Sequence, residues 1–242
     1  MDKVPIRVDG RFRLGDILGS GSYGITEYNI LKHLEGGVGI PRALWFGRES
    51  TYHALVLDLL GPSLHSLFLS HSRKFSLETV INLGDQLVRH FHCLEYVHSH
   101  NYIHGDIKPQ NVVLGLGDLR HTAFIIDFGI VKEFWNMTTS VNVSLALLRL
   151  QSINNHLGVE PGRRDDLESL TYMLIYFLQG SLPWLIILPY FERKVNTTIE
   201  DLCRGIPVEF ATMLIYTCSL AFSEEPDYNH LRSLLHTLPC RE

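Results

Sequence analysis

Two short polar runs, set a fixed distance apart, restrict this chain more than any other feature of it. Tyr102-Ile-His104-Gly105-Asp106-Ile-Lys108-Pro-Gln-Asn111 is followed, 16 residues after Asn111, by Asp127-Phe128-Gly129. A carboxylate at Asp106 can accept a proton from a hydroxyl. Lys108 can neutralise negative charge on a group in transfer. Asn111 and Asp127 offer the hard oxygen ligands that suit Mg2+. The residues leading into the second run, His121 to Asp127 (HTAFIID), read as a buried strand. The alternative is a surface loop that holds Asp, Lys and Asn by accident beside a chance Asp-Phe-Gly. That alternative leaves both the register and the strand unexplained.

A third polar run lies earlier. Gly19-Ser-Gly21-Ser-Tyr-Gly24 is a GxGxxG, whose glycines let backbone amides approach phosphate oxygens. Alone it is weak, because a glycine-rich turn between two strands looks the same. A dinucleotide fold would need an α-helix directly after it and an acidic residue about 20 residues on. Ile25-Thr26-Glu27 gives no clear strand either, so both readings stay open.

Around these runs the hydrophobic periodicity sets the architecture. Phe12 to Leu18 alternates like a strand, Glu27 to Leu34 is helical in pattern, and Tyr52 to Leu60 reads as a buried strand closed by Gly61-Pro62. Ser76 can cap a long helix running to about His100, with Val80, Leu83, Leu87, Phe91, Leu94 and Val97 on one face. Asp166 to Leu178 is apolar on most sides and predicts a central helix. Phe210 to Leu220 and Tyr228 to Leu238 are further helices. Strands early and helices late make an α+β protein with a small sheet-rich lobe and a larger helical one.

Ser169 to Phe191 carries no charge for 23 residues, long enough to span a bilayer. Gln179, Gly180, Ser181, Pro183 and Pro189 interrupt it, and Gly-Ser before Leu-Pro reads as a helix stop. A buried core helix is the better reading. With 45% hydrophobic residues the chain can bury a real core, and a net charge of −5 argues against general nucleic-acid binding. Cys93, Cys203, Cys218 and Cys240 show no metal-ligand spacing and no signal peptide opens the sequence. Reduced thiols in the cytosol or nucleus are therefore expected, and, with no sign of an oligomer in the sequence, a monomer is expected too.

The spacing of the two polar runs matches the catalytic and metal-binding loops of protein kinases. Several blocks resemble casein kinase 1 in particular: GSGSYG (19–24), GGVGIP (36–41), LLGPSL (59–64), RKFSLETV (73–80), IIDFG (125–129), SINNHLGVEPGRRDDLESL (152–170), GSLPW (180–184), PVEFATML (207–214) and EEPDYNHLR (224–232). Ser152-Ile-Asn154, which that family carries where other kinases have Ala-Pro-Glu, is the most diagnostic.

The resemblance implies a two-lobed protein-kinase-like fold over residues 1–242, with an N-terminal β lobe over 1–60 and a helical lobe over 61–242. It implies ATP and Mg2+ between the lobes and a protein substrate or docking partner, with no nucleic acid or membrane involved. Asp106 and Lys108 would be catalytic, and Asn111 and Asp127 would hold metal and phosphate. Ile17, Gly19, Gly21 and Gly24 would cover the nucleotide, Leu57 and Leu60 would line the adenine pocket and hinge, and Val113 would lie beneath the ring. Ordinary core packing is the alternative for Leu57 and Val113. Glu27 aligns with the glutamate that normally pairs with the ATP-binding lysine. Asp166 aligns with the aspartate that braces the catalytic loop, and the neighbouring Arg163 and Arg164 can equally be solvated charges. Arg149 aligns with an arginine that holds an anionic substrate determinant.

Three departures stand against activity. Only 11 residues separate Gly24 from Gly36, where the family places two strands and the ATP-binding lysine. The β lobe is therefore truncated, and Lys32 should point elsewhere or make a weak surface pair. His-Arg-Asp has become His104-Gly105-Asp106, and glycine cannot read a phosphate. The segment before Ser152 is short, with Leu145-Ala-Leu-Leu148 in place of Thr-Gly-Thr-Ala. Two functions follow: a serine/threonine kinase impaired by loss of the lysine, or a pseudokinase that acts as a protein-binding scaffold.

Overall fold

The computed structural model describes residues 7–13, 24–49, 52–88, 93–133, 150–157, 159–185 and 190–239. Strands β1 (Arg7–Val8) and β2 (Phe12–Arg13) pair through Val8 opposite Phe12. Asp9 and Gly10 turn the chain between them with positive φ. Of the expected strand from Phe12 to Leu18, residues 14–18 lie outside the described residues.

Helix α1 (Gly24–His33) begins on the last glycine of the glycine-rich run. Eleven residues between Gly24 and Gly36 hold one helix and nothing more, so no second strand follows the glycines. The α1 face carrying Ile30 and Leu31 is buried, with Leu34 beyond it. It packs on the hairpin of β3 (Ala43–Glu49) and β4 (Tyr52–Leu57), where the rings of Tyr28 and Phe46 lie 5.8 Å apart. The hairpin runs from Ala43 opposite Leu57 to Glu49 opposite Tyr52, with a bulge between Ala43 and Trp45. The sequence made β4 a buried strand. It is instead half-buried along most of its length, because this sheet has two strands and α1 is packed on it.

The second lobe is helical. Helix α2 (Leu64–Ser70) is capped by Ser63 Oγ, which accepts the Ser66 N–H at 3.2 Å. Ser76 Oγ caps α3 (Leu77–Val88) by accepting the Thr79 N–H at 3.1 Å. The long helix expected from Ser76 to His100 is described as α3 and a separate α4 (Cys93–Ser99), with 89–92, including Phe91, outside the described residues. Cys93 has φ +42, which no continuous helix allows. The stripe of Val80, Leu83, Leu87, Leu94 and Val97 is buried all the same.

Four short strands then frame the polar runs. β5 (Tyr102–Ile103) pairs with β8 (Lys132–Glu133), and β6 (Val112–Leu114) pairs with β7 (Ala123–Ile125), all antiparallel. Helix α5 (Ile153–His156) leads to α6 (Arg163–Gln179), buried without a break from Asp165 to Leu178. Each large apolar side chain on it contributes on the order of 1.5–3 kcal/mol by leaving water. Gly180, at φ +85, ends it by donating its N–H to Tyr176 O. Among the described residues no helix is long and apolar enough to cross a membrane. Helices α7 (Tyr190–Asn196), α8 (Ile199–Leu202), α9 (Val208–Ser219) and α10 (Tyr228–His236) complete the lobe. Helix α3 approaches α6 and α10 closely at Gly84, where a Cβ would meet Leu235 Cδ1 at 2.8 Å and Leu174 Cδ1 at 3.1 Å.

Candidate active site

The loop between β5 and β6 is held by a buried carboxylate beneath it. Asp166 Oδ2 accepts the His104 N–H at 2.8 Å and Oδ1 accepts the Gly105 N–H at 2.7 Å. Oδ2 also accepts His98 Nε2–H at 2.8 Å, and His98 Nδ1 takes the Tyr228 hydroxyl at 2.6 Å. Three donors on one buried carboxylate balance the cost of removing its charge from water. His104 completes the frame. Its Nδ1 accepts the Asp106 N–H at 3.2 Å, so Nε2 carries the proton and donates to Ile126 O at 3.1 Å.

This frame presents Asp106, which is 2% exposed. Lys108 Nζ reaches Asp106 Oδ2 at 2.5 Å, and Asn111 Nδ2 donates to the same oxygen and to the Asp106 carbonyl, each at 3.0 Å. Oδ1 is buried with no partner among the described residues. Burial pushes the Asp106 carboxyl above its ordinary range, while the Lys108 hydrogen bond and charge work the other way. A carboxylate with one oxygen fixed and the other without a partner among the described residues, raised above its ordinary range, is equipped to accept a hydroxyl proton.

The second run lies beside it. Asp127 is exposed in the left-handed region, at φ 68 and ψ 63, while Phe128 behind it is fully buried against His104, with ring centroids 5.0 Å apart. The Ile126 N–H donates to Asn111 O at 2.9 Å, tying the two runs together. Burial is the main cause that raises the carboxyls of both Asp106 and Glu27, and the Asp127 charge adds a smaller push in the same direction. Glu27 accepts the Phe128 N–H at 3.2 Å, and burial is the main cause that pushes its carboxyl up. Lys32 pairs with Glu35 at 3.2 Å and makes the surface pair expected of it.

Leu57, at the end of β4, is half-buried against the core, and Leu60 is half-buried where the chain passes between lobes. The Gly61 N–H donates to Leu114 O at 2.7 Å and the Leu114 N–H to Pro62 O at 3.1 Å, with Ser63 bridged to Val113. Val113 is thus buried directly beneath the crossing. Asp58 fixes the start of the crossing through Arg42, whose Nη2 lies 2.9 Å from Oδ1.

Ser152-Ile-Asn154 is pinned to α6 by two acids. Glu168 Oε1 accepts the Ile153 N–H and Asp165 Oδ1 accepts Asn154 Nδ2, each at 3.0 Å. Lys194, buried on α7, donates to the Gln151 carbonyl and lies over the Tyr172 ring at 4.1 Å. Gln151 Nε2 in turn donates to Gly105 O at 3.2 Å.

Hydrogen bonds join Asp106, Lys108 and Asn111, Asp127 follows Ile126, whose N–H is tied to Asn111 O, and Asp166 holds the loop. Gly24 opens α1, and Ile17, Gly19, Gly21 and Arg149 lie outside the described residues. Arg163 and Arg164 are half-buried rather than solvated, and Arg164 Nη1 donates to Leu220 O at 2.7 Å. The solvated alternative fails because this end of α6 is packed inside the lobe. His98, Tyr228, Gln151, Glu168 and Lys194 were not singled out by the sequence. Their partners lie far along the chain, and only the matched blocks 152–170 and 224–232 pointed near any of them, holding Glu168 and Tyr228. The residues that would hold Mg2+ are Asn111, whose Nδ2 is turned to Asp106 and leaves its side-chain oxygen for a metal, and the exposed carboxylate of Asp127; these are oxygen donors that fit a hard cation.

A strand-and-helix lobe followed by a helical lobe, with Asp106, Lys108, Asn111 and Asp127 on the loops around β6 and β7, defines a two-lobed kinase-like fold. A family model for the protein kinase domain matches residues 16–187. The chain belongs to the protein kinase family.

Proposed function

We propose that this chain is a serine/threonine kinase of the casein kinase 1 type, moving a phosphoryl group from ATP to a protein hydroxyl at a much reduced rate. The observation that carries the reading is the state of Asp106: buried, one oxygen clasped by Lys108 and Asn111, the other unpartnered. That oxygen is the acceptor for a hydroxyl proton. Lys108 meets the charge that develops nearby, and Asn111 and Asp127 would hold Mg2+, which when bound supplies positive charge among the phosphate oxygens. Leu57, Leu60 and Val113 would enclose the adenine, with Ile17, Gly19, Gly21 and Gly24 above it, and Arg149 would meet an acidic substrate determinant. The pinned Ser152-Ile-Asn154 supports the casein kinase 1 assignment. The low rate follows from Glu27, which holds the Phe128 amide and pairs with no lysine among the described residues. One missing charge in a phosphoryl-transfer site costs a few kcal/mol, roughly a hundredfold or more.

The same state of Glu27 favours a second reading, a pseudokinase that works by docking. A thermal-shift titration with Mg-ATP, run beside radiolabel transfer to an acidic protein acceptor, separates the two. The expected outcome is a small shift and slow transfer that Asp106→Ala abolishes. No shift and no transfer would overturn the kinase reading in favour of the scaffold.

A further inference from the structure

The peptide at Gly105 is gripped on both sides. Asp166 takes its N–H, and Gln151 Nε2 donates to its carbonyl at 3.2 Å. Gly105 has φ +76, and a Cβ there would meet nothing within 4 Å, so the backbone conformation and not space favours glycine. No side chain at 105 can reach toward the segment before Ser152. The link runs the opposite way, from residue 151 of that segment onto the backbone of the catalytic loop. Gln151 is 2% exposed, and its own carbonyl is held by the buried Lys194. Its backbone is therefore held by Lys194 and its side-chain Nε2 by Gly105, while Oε1 is buried with no partner among the described residues, and the side chain is neutral.

We propose that Gln151 is a positioning residue that locks the catalytic loop through the Gly105 carbonyl and so fixes the presentation of Asp106. The consequence for rate rests on the kinase reading, whereas the consequence for the loop does not. Beside Gly105, the Asp106 N–H closes onto His104 Nδ1. Releasing the carbonyl frees both amides to open together.

The test uses the whole chain with Gln151→Met, close in volume and without a donor, and Gln151→Ala. Hydrogen exchange at the Gly105 and Asp106 amides should quicken about tenfold in both variants, the worth of one neutral hydrogen bond, while exchange in α6 stays unchanged. Where the wild type transfers phosphate, kcat should fall about tenfold with the KM for ATP within about twofold. Unaltered exchange at the two amides in both variants overturns the proposal. A wild type without transfer counts against the kinase reading, and the exchange result then decides the proposal by itself.

Discussion

Asp106 holds a charge in a place that disfavours it, and that conflict makes its worth to stability measurable apart from its worth to chemistry. Burial raises its carboxyl above the ordinary value of 3.8, so the folded protein binds that proton more tightly than the unfolded chain. Above the raised value the wild type carries the full cost of a buried anion; as pH falls through it the cost is relieved. Asp106→Asn removes the charge and keeps the shape. It should abolish transfer yet raise the thermal midpoint near neutral pH by about 2–4 °C, for a gain on the order of 1 kcal/mol. The gain should shrink as pH is lowered, which calorimetry of both proteins across pH would check. An unchanged or lower midpoint at neutral pH would mean that the Lys108 and Asn111 bonds outweigh the desolvation. These three residues were legible in the sequence because they lie within six positions of one another. His98 and Tyr228 lie 130 positions apart, and no local pattern could place one on the other.

Among the elements, α7 depends on one buried lysine. Burial drives Lys194 down from 10.5 to about 7, against the attraction of Glu168, whose own carboxyl burial pushes up. Between pH 7 and 10.5 the unfolded chain binds the Lys194 proton and the folded protein does not. Stability should therefore rise with pH through this window, by up to about 1.4 kcal/mol per pH unit. Cys93 and Cys203, buried thiols raised from 9.0 to about 12 and about 11, work in the opposite direction above pH 9. Cys218, raised to about 12, adds to them, and since the thiols outnumber the one amine the rise should show between pH 7 and 9 and then turn into a fall. Lys194→Met should flatten the rise in urea titrations, and an equal slope in both proteins would sink the account. Elements with a strong period were readable in advance: α6 from apolar residues on all sides, α3 from its Ser76 cap and stripe. The positive φ at Cys93 was not, because the stripe runs straight through it. The pairing of β5 with β8 was not either, since two-residue strands are too short to carry a pattern.

At the scale of the whole molecule, the two lobes differ in how well their strands are covered. Each contains a two-stranded antiparallel hairpin, so strand count alone makes them equal. β6 and β7 are almost wholly buried, and their edges are engaged: Gln86 Oε1 accepts the Ala123 N–H at 2.9 Å, and the Ile125 N–H donates to Gly39 O at 2.9 Å. β3 and β4 are half-buried, carry Leu44 at 42% exposure, and rest on α1 with few fully buried residues of their own. A hairpin packed this lightly is marginal alone and opens at low free-energy cost. Arg48 on β3, Arg120 in the turn between β6 and β7, and Arg204 before α9 are all exposed, so exposure does not discriminate among them for trypsin. Local opening does, because cleavage requires several residues of chain to leave the fold. Cleavage at Arg48 should therefore precede cleavage at Arg120 and Arg204 by about tenfold or more, the ratio that a difference of about 1.4 kcal/mol in opening produces. The first fragment to accumulate should be the helical lobe with α6 intact. Equal rates at the three arginines, read by mass spectrometry of early time points, would show that the shortened lobe is as firmly closed as the other. The loss of two strands would then have been made good by packing that α1 and the hairpin do not display.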